Sequence, residues 1–378
     1  MLVKPRAGQA ARIKVIGIGG GGGNALSSMI AEGGITGVEF VAVNTDAQAL
    51  LNNKASIKIQ IGENLTKGLG SGGDPEVGRQ AAEESRERLK EELSGADMVF
   101  ITCGEGGGTG TGAAPIIAEV AKETGALTVA VVTKPFDFEG SKRRLTADEG
   151  AQNLKDKVDT LIIVPNQKIL TVIDKKTPIL EAFKKIDSVL HQGVKGIAEL
   201  ITTPGLINVD FADVKSIMQN AGTALMGIGV GSGDKRALVA IKQAISSPLL
   251  DISIEGAKGV LFNVVGGPDL TMTEIDEAAS IIAKSVDPDA DIIFGAVIDE
   301  KMMDTIKVTL IATKFDDSKL KLFRFNKPEK TEKSATLYEE PETEKEKEEE
   351  EVREFFDDKD DIIEDKAEFD IPAFLRKK

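Results

Sequence analysis

Between residues 12 and 165, short β-branched runs alternate with longer stretches whose apolar positions recur at helical spacing. The runs at 13–19 (IKVIGIG), 38–44 (VEFVAVN), 97–103 (DMVFITC), 127–133 (LTVAVVT) and 160–165 (TLIIVP) are apolar almost throughout, as strands buried on both faces are. Helical patterns lie between them, at 75–95 and 114–125. This alternation predicts a doubly wound α/β fold, a parallel sheet covered by helices on both sides. Such sheets bind ligands beyond the carboxyl ends of their strands. A long helical pattern follows at 178–201, with Ile179, Phe183, Ile186, Leu190, Val194, Ile197 and Ile201 at helical spacing and further apolar residues on a second face. It predicts a helix buried on most sides that ends at Thr203-Pro204-Gly205 and bridges two domains. Strand patterns at 225–231, 259–267, 290–298 and 306–313, with helical ones at 234–247 and 271–286, predict a second, smaller α/β domain.

The pattern dissolves near Phe315, and residues 327–369 hold 19 Asp/Glu against 8 Lys/Arg. Too few large apolar residues remain there to offset the entropy of ordering, so 317–369 is expected to be a disordered acidic linker. The character then changes abruptly to DIPAFLRKK at 370–378. The net charge of −15 therefore sits mostly in the tail, and no basic footprint for nucleic acid is present. No run of 18 apolar residues suggests a membrane span, and the first residues lack the apolar core of a signal peptide. A single cysteine, Cys103, fits a reducing cytosol, and a single histidine, His191, argues against His-based metal sites or a Ser-His-Asp triad.

Two glycine runs carry the chemistry. The first, Gly17 to Asn24, follows a strand and precedes a helical pattern; glycine lets backbone approach phosphate closely, and a helix N-terminus offers free N–H groups. This run also fits the dinucleotide fingerprint. The second, GEGGGTGTG at 104–112, follows another strand, and its two threonines add hydroxyls for phosphate oxygens or a magnesium-bound water. A dinucleotide fold uses one such loop. No GxxxxGK[ST] occurs, which excludes a P-loop enzyme.

GGGTGTG (106–112) resembles the signature of the tubulin and FtsZ superfamily, and VNTDAQAL (43–50), KPFDFEG (134–140), NVDFADV (208–214) and the terminal DIPAFLRKK resemble its FtsZ branch. The likeness covers about residues 11–316 and the last nine. It implies a tubulin-like GTPase fold with domains at 11–177 and 202–316, joined by the helix 178–201 and preceded by a flexible 1–10. It further implies that Gly20, Gly21, Gly22, Gly107, Gly108, Thr109 and Gly110 cradle the phosphates of GTP. Asn44 and Asp46 would lie near the phosphates and magnesium-bound waters, and Glu139 and Arg143 at the ribose. Asn166, Phe183 and Asp187, with Asn24 nearby, would form the guanine pocket. Phe183 and Asp187 are i and i+4, so one helix face offers a ring to stack and a carboxylate to accept from guanine N1–H and its 2-amino group. Mg²⁺ would arrive with GTP, with no direct protein ligand.

Asn208, Asp210 and Asp213 precede a helical pattern, where Asp210 reads as an N-cap and Asp213 as an acid favoured by the helix dipole. The resemblance makes the same loop the catalytic contribution to a neighbouring subunit, in a head-to-tail homopolymer that forms the cytoplasmic mid-cell division ring. Asp370, Ile371, Pro372, Phe374 and Leu375 would dock membrane-tethering division adaptors, without membrane insertion. Glu105 departs from the family, where Met or another apolar residue is usual; an acid there is expected to repel nucleotide or help hold a cation. His191 reads as an exposed partner of Asp187 at i+4, and Cys103 as a small buried residue. Two other readings compete: an NAD-dependent oxidoreductase, drawn from Gly17–Gly22 and Asp46, and a nucleotide-regulated scaffold with little turnover. The first leaves the second glycine loop unexplained, and Asp210 and Asp213 argue against the second.

Overall fold

Every residue of the run 98–103 is buried, and that density of β-branched and apolar side chains is satisfied by a central strand with helices on each side. The computed structural model describes residues 11–315, apart from 175, 204, 249, 251 and 252. The expected N-terminal arm (1–10), linker (317–369) and docking peptide (370–378) lie outside the described residues.

The chain opens with β1 (Ile13–Ile18), α1 (Gly19–Ala31), β2 (Val38–Asn44), α2 (Ala47–Leu51), β3 (Ile57–Gln60), α3 (Glu63–Thr66), α4 (Pro75–Glu84) and α5 (Arg86–Leu93). It continues through β4 (Met98–Gly104), α6 (Thr109–Glu123), β5 (Leu127–Lys134), a 3-10 turn (Asp137–Glu139), α7 (Ser141–Lys155), β6 (Thr160–Pro165) and α8 (Asn166–Ile169). After α9 (Ile179–Thr202) come α10 (Phe211–Met218), β7 (Gly222–Ser232), α11 (Arg236–Ile245), β8 (Gly259–Gly266), α12 (Met272–Ser285), β9 (Asp291–Ile298) and β10 (Thr305–Thr313). The helix expected at 75–95 is broken at Ser85, whose hydroxyl accepts from Gly62 N at 3.2 Å. The short strand β3 is an addition to the expected set.

The strands form one sheet in the order β3-β2-β1-β4-β5-β6-β7-β10-β8-β9. All pairings from β3 to β7 are parallel, β10 is antiparallel to both β7 and β8, and β9 is parallel to β8. Alternation along each strand divides the core. Ile13 and Val15 of β1, with Met98 and Phe100 of β4, face α1 and α9, whereas Ile16, Ile18, Val99 and Ile101 face α4, α5 and α6. Each such side chain contributes about 1.5–3 kcal/mol on burial. Val194 and Ile197 of α9 share a cluster with Val129 of β5 and with Leu261 and Ile311 of β8 and β10, so this helix supports both halves of the sheet. It is not buried on most sides throughout: in its first turns Ile179, Leu180 and Phe183 are exposed and only one face, with Ala182 and Ile186, is buried, whereas from Leu190 onward most positions are buried or half-buried.

On the outer face of the second half, α11 lies directly on β7. Gly227, Gly229 and Gly231 face it at alternate positions, and a Cβ on any of them would collide with the carbonyl oxygen of Ala244, Ala240 or Arg236. Ala237, Ala240 and Ala244 keep the helix side of this contact equally thin.

Candidate nucleotide-binding site

The parallel half has the order 3-2-1-4-5-6, which reverses direction between β1 and β4, and the crevice beyond their carboxyl ends is where such sheets take ligands. β1 and β4 are neighbours in register, Ile18 opposite Cys103, so the two glycine runs emerge side by side. Gly19 at φ +69° and Gly106 at φ +95° make the turns, a backbone region that L side chains rarely enter.

The first run is not a loop ahead of the helix. Gly19–Gly23 are wound into α1, although glycine costs about 1 kcal/mol per helical position relative to alanine. Backbone contact overrides that preference: a Cβ at Gly22 would collide with Thr102 O, and one at Gly21 would lie 3.3 Å from Gly104 N. Gly22 is therefore a packing residue against β4 and does not line the cavity that opens here. Around Gly20 and Gly107 a Cβ would meet nothing within 4 Å, so their backbone is open to the cavity.

The cavity measures about 670 Å³ and collects residues from seven stretches of chain. Gly20, Gly21 and Asn24 of α1 and Gly107, Gly108, Thr109 and Gly110 before and within α6 line it. Asn44 and Asp46 after β2, Glu139 and Arg143 around the start of α7, Asn166 at the start of α8, and Phe183 and Asp187 of α9 complete the expected set. The N-termini of α1 and α6 both open on it, giving two positive dipole ends and unpaired N–H groups.

Several of these side chains are already engaged. Thr109 Oγ1 is 2.7 Å from Thr45 Oγ1 and 2.9 Å from Ser71 Oγ, so it ties the loops after β2 and α3 to α6. Asp46 caps α2, its Oδ1 accepting from Gln48 N at 2.8 Å and Ala49 N at 3.0 Å, and Asn44 Oδ1 accepts from Asp46 N at 3.2 Å. Glu139 Oε2 pairs with Arg143 at 2.7 Å while Oε1 accepts from Phe136 N at 2.9 Å. Phe183 meets Phe136 edge to face at 5.7 Å between centroids. Asp187 Oδ2 accepts from Ser28 Oγ at 3.0 Å; burial, with Glu32 adding to it, raises its carboxyl above the usual range. Asn166 Oδ1 is buried without a hydrogen-bond partner, a cost of about 1–3 kcal/mol that a ligand donor would relieve.

Sequence reasoning missed Thr45, Ser28 and the stretch 69–73, all drawn into or behind the wall. The glycines of GLGSGGDP (68–75) were the available signal. Three side chains depart from expectation. Thr111 turns inward, where its hydroxyl accepts from Gly106 N at 2.9 Å, so only one of the two threonines faces the cavity. His191 is buried, not exposed, and its Nδ1 lies 2.6 Å from Glu32 Oε2 at the end of α1; one further turn of α9 carries it past Asp187. Glu105 lines the cavity but is not the open acid expected beside the glycines: it is 4% exposed, and its Oε1 accepts from Cys103 Sγ at 3.4 Å. Cys103 is buried, as expected.

Asn208, Asp210 and Asp213 stand apart from all this. Asp210 is the N-cap of α10, accepting from Asp213 N at 2.8 Å, and Asn208 Oδ1 accepts from Gly205 N at 2.6 Å. All three are exposed and none lines the cavity. The cavity reaches along α9 as far as Leu190, and the rest of that helix, to Thr202, spans about 18 Å before the chain turns toward these residues.

Among the described residues no group of three or more His, Cys, Asp or Glu is arranged to hold a metal ion, and no helix is long and apolar enough to cross a membrane. Residues 12–174 match the GTPase domain of the Tubulin/FtsZ family, and residues 222–316 match the FtsZ family C-terminal domain. An FtsZ dimer from M. jannaschii, solved empty, is 50% identical with a TM-score of 0.78, over 82% of this chain and 89% of that one. The chain belongs to the tubulin/FtsZ family. CetZ2 from Haloferax volcanii, solved as a GTPγS-bound protofilament, shares the family fold at 19% identity and TM-score 0.69, over 83% of this chain and 97% of that one. Membership accounts for both glycine runs, whereas a dinucleotide enzyme would use only the first and would need the Asp46 carboxylate that here caps α2.

Proposed function

We propose that this member of the family binds GTP in the cavity at the β1/β4 switch point and hydrolyses it only when assembled. Subunits stack head to tail, and Asn208, Asp210 and Asp213 of one subunit complete the site of the next. One observation carries the reading: the acidic loop lines no part of the cavity and follows the far end of α9, about 18 Å of helix beyond Leu190, the last residue of that helix to line the cavity. A heterologous contact that joins unlike ends propagates as an open filament.

In this reading the backbone of Gly20, Gly21, Gly107, Gly108 and Gly110 holds the phosphates, aided by the dipoles of α1 and α6. Glu139 and Arg143 hold the ribose. Phe183 stacks on the purine, Asp187 accepts from its N1–H and 2-amino group, and Asn166 Oδ1 finds its missing donor. Mg²⁺, carried by the nucleotide, neutralises charge on its phosphate oxygens. The incoming acids orient the attacking water and accept its proton, and the capped geometry of Asp210 fixes where its carboxylate points. The expected domains (11–177, 178–201 and 202–316) then serve as nucleotide face, connecting helix and activating face. The filament builds the division ring in the cytoplasm at mid-cell, and residues 370–378 tether it to membrane-bound adaptors.

GTP turnover per subunit is expected to rise from near zero once protein concentration passes the onset of light scattering. A specific activity independent of concentration would mean that one chain holds a complete site.

Asp187→Ala is expected to weaken GTP binding and narrow the preference over ATP by about a hundredfold or more, because the intact carboxylate rejects a base lacking that donor pair. Ser28→Ala, which only releases the carboxylate, is expected to have a smaller effect in the same direction. Calorimetric titration with both nucleotides measures this, and unchanged GTP affinity in Asp187→Ala would take the residue out of the pocket.

A further inference from the structure

Glu105 is the only ionisable residue in the loop that joins β4 to α6; the residue lines the cavity, but its carboxyl is buried against Cys103 and Gly150 of α7. Its Oε1 accepts from Cys103 Sγ at 3.4 Å. Its Oε2 is buried with no hydrogen-bond partner and presses on α7 at Gly150, where a Cβ would collide with it. The next residue, Gly106, is held by the Thr111 hydroxyl. The carboxyl is thus a wedge between α7 and the rear of the loop whose front N–H groups line the cavity.

Such a position suits a neutral acid and not a carboxylate. A buried charge lacking partners on one oxygen is costly. Placed behind phosphate-binding N–H groups, it would also oppose an anion on their far side. Burial pushes the Glu105 carboxyl up to about 7, outweighing hydrogen bonds from the Cys103 thiol and the Thr111 hydroxyl that favour the ionised form. The titratable groups around it leave this tendency standing. The Cys103 thiol is itself pushed well above its usual range and stays protonated. Lys134 of β5 favours the ionised form, but it is paired with Asp148 of α7 at 2.5 Å. Arg143 of α7 is paired with Glu139, and the first turn of α6 carries no acid.

We propose that Glu105 is a proton-linked positioning residue: its neutral carboxyl braces the phosphate loop from behind, and its ionisation loosens the grip on a nucleotide's phosphates. The inference rests on the cavity being the nucleotide site and adds a pH control to it. The sign follows from linkage. Phosphate charge favours the neutral carboxyl, so the bound state holds the proton to higher pH than the free state. Binding then takes up a proton, and affinity is full below the free-state pKa and falls as pH rises through and above it.

The test is calorimetric titration of the full chain with GDP from about pH 6 to about pH 8.5, in two buffers of different ionisation enthalpy so that proton uptake is counted. GDP avoids turnover, and its own terminal phosphate titrates identically against every variant. Wild type is expected to lose about tenfold in affinity across the range beyond what Glu105→Gln loses, corresponding to one unit of coupling. Glu105→Gln is expected to match wild type at the low end and to bind about tenfold more tightly than wild type at the high end, with less proton uptake. Glu105→Leu, neutral and without hydrogen bonds, is expected to share the shallower slope of Glu105→Gln, whereas a merely structural role would change affinity equally at every pH. Identical pH slopes in wild type and Glu105→Gln overturn the role of Glu105 and leave the nucleotide site standing; failure of wild type to bind GDP at any pH overturns both.

Discussion

Asp213→Ala is expected to bind GTP as tightly as wild type and to hydrolyse it at least a hundredfold more slowly. The carboxylate is exposed, lines no part of its own subunit's cavity and lies past the far end of α9, about 18 Å of helix beyond Leu190, so nothing in nucleotide binding depends on it. General-base and electrostatic contributions of one positioned acid amount to about 10²–10⁴ in rate. Asp210 needs a gentler substitution. Its Oδ1 caps α10, and alanine would remove both cap and charge, at about 1 kcal/mol for the cap alone. Asp210→Asn keeps a good capping side chain and removes only the charge, so loss of turnover there is attributable to chemistry. The decisive measurement mixes Asp213→Ala with Gly107→Asp, which places a carboxylate at an open point of the cavity wall. Neither variant alone is expected to turn over GTP. In an equal mixture about one interface in four pairs an intact cavity with an intact acidic loop, so roughly a quarter of wild-type activity is expected to return. Absence of recovery when both variants pellet together would place the whole site within one chain.

Gly229→Ala is expected to destabilise the described body by on the order of 2–4 kcal/mol, enough to lower the thermal midpoint by several degrees. Two effects oppose each other. Replacing glycine in a strand restricts the unfolded chain and stabilises by about 0.4–1 kcal/mol. The new Cβ, however, would collide with the carbonyl oxygen of Ala240 and lie 2.7 Å from Ala244 N, both backbone atoms of α11. Backbone within a helix cannot rotate aside, so the whole helix must lift off β7 and lose contacts with Val260, Phe262 and Val308 below it. The clash wins. Gly233→Ala serves as control for loss of glycine nearby, since a Cβ there meets nothing within 4 Å, although its φ of +78° carries its own strain. Equal midpoints for wild type and Gly229→Ala by calorimetry would show that α11 does not rest on the strand as closely as described.

Elements whose side chains alone set their environment were readable from sequence. The apolar runs became β1, β2, β4, β5 and β6 within a residue or two, because strands buried on both faces admit little else. The i, i+4 relation of Phe183 and Asp187 held, since both face one cavity from α9. Features decided by distant backbone were not readable. Glycine propensity argues against a helix at Gly19–Gly23, and only the proximity of Thr102 and Gly104 on β4 explains why the chain winds there. β3 is four residues long and gives almost no periodic signal. Glu105 and His191 were placed by local neighbours in sequence, Gly104–Gly106 and Asp187, yet Glu105 is also packed against Gly150 of α7 and His191 meets Glu32 at the end of α1. The stretch 69–73 was legible as a turn from its glycines, but nothing local said that Ser71 would reach Thr109.

The glycine face of β7 also has a genetic meaning. Every amino acid reachable from a glycine codon by one base change carries a Cβ. At Gly227, Gly229 and Gly231 that atom meets the α11 backbone whichever residue is chosen, so size and polarity hardly matter. These codons therefore have no neutral neighbour that changes the amino acid. Drift at them must pass through a damaged protein or wait for a second change that moves the helix. Three alternate positions on one strand are thereby frozen together, with no ligand or partner required to hold them.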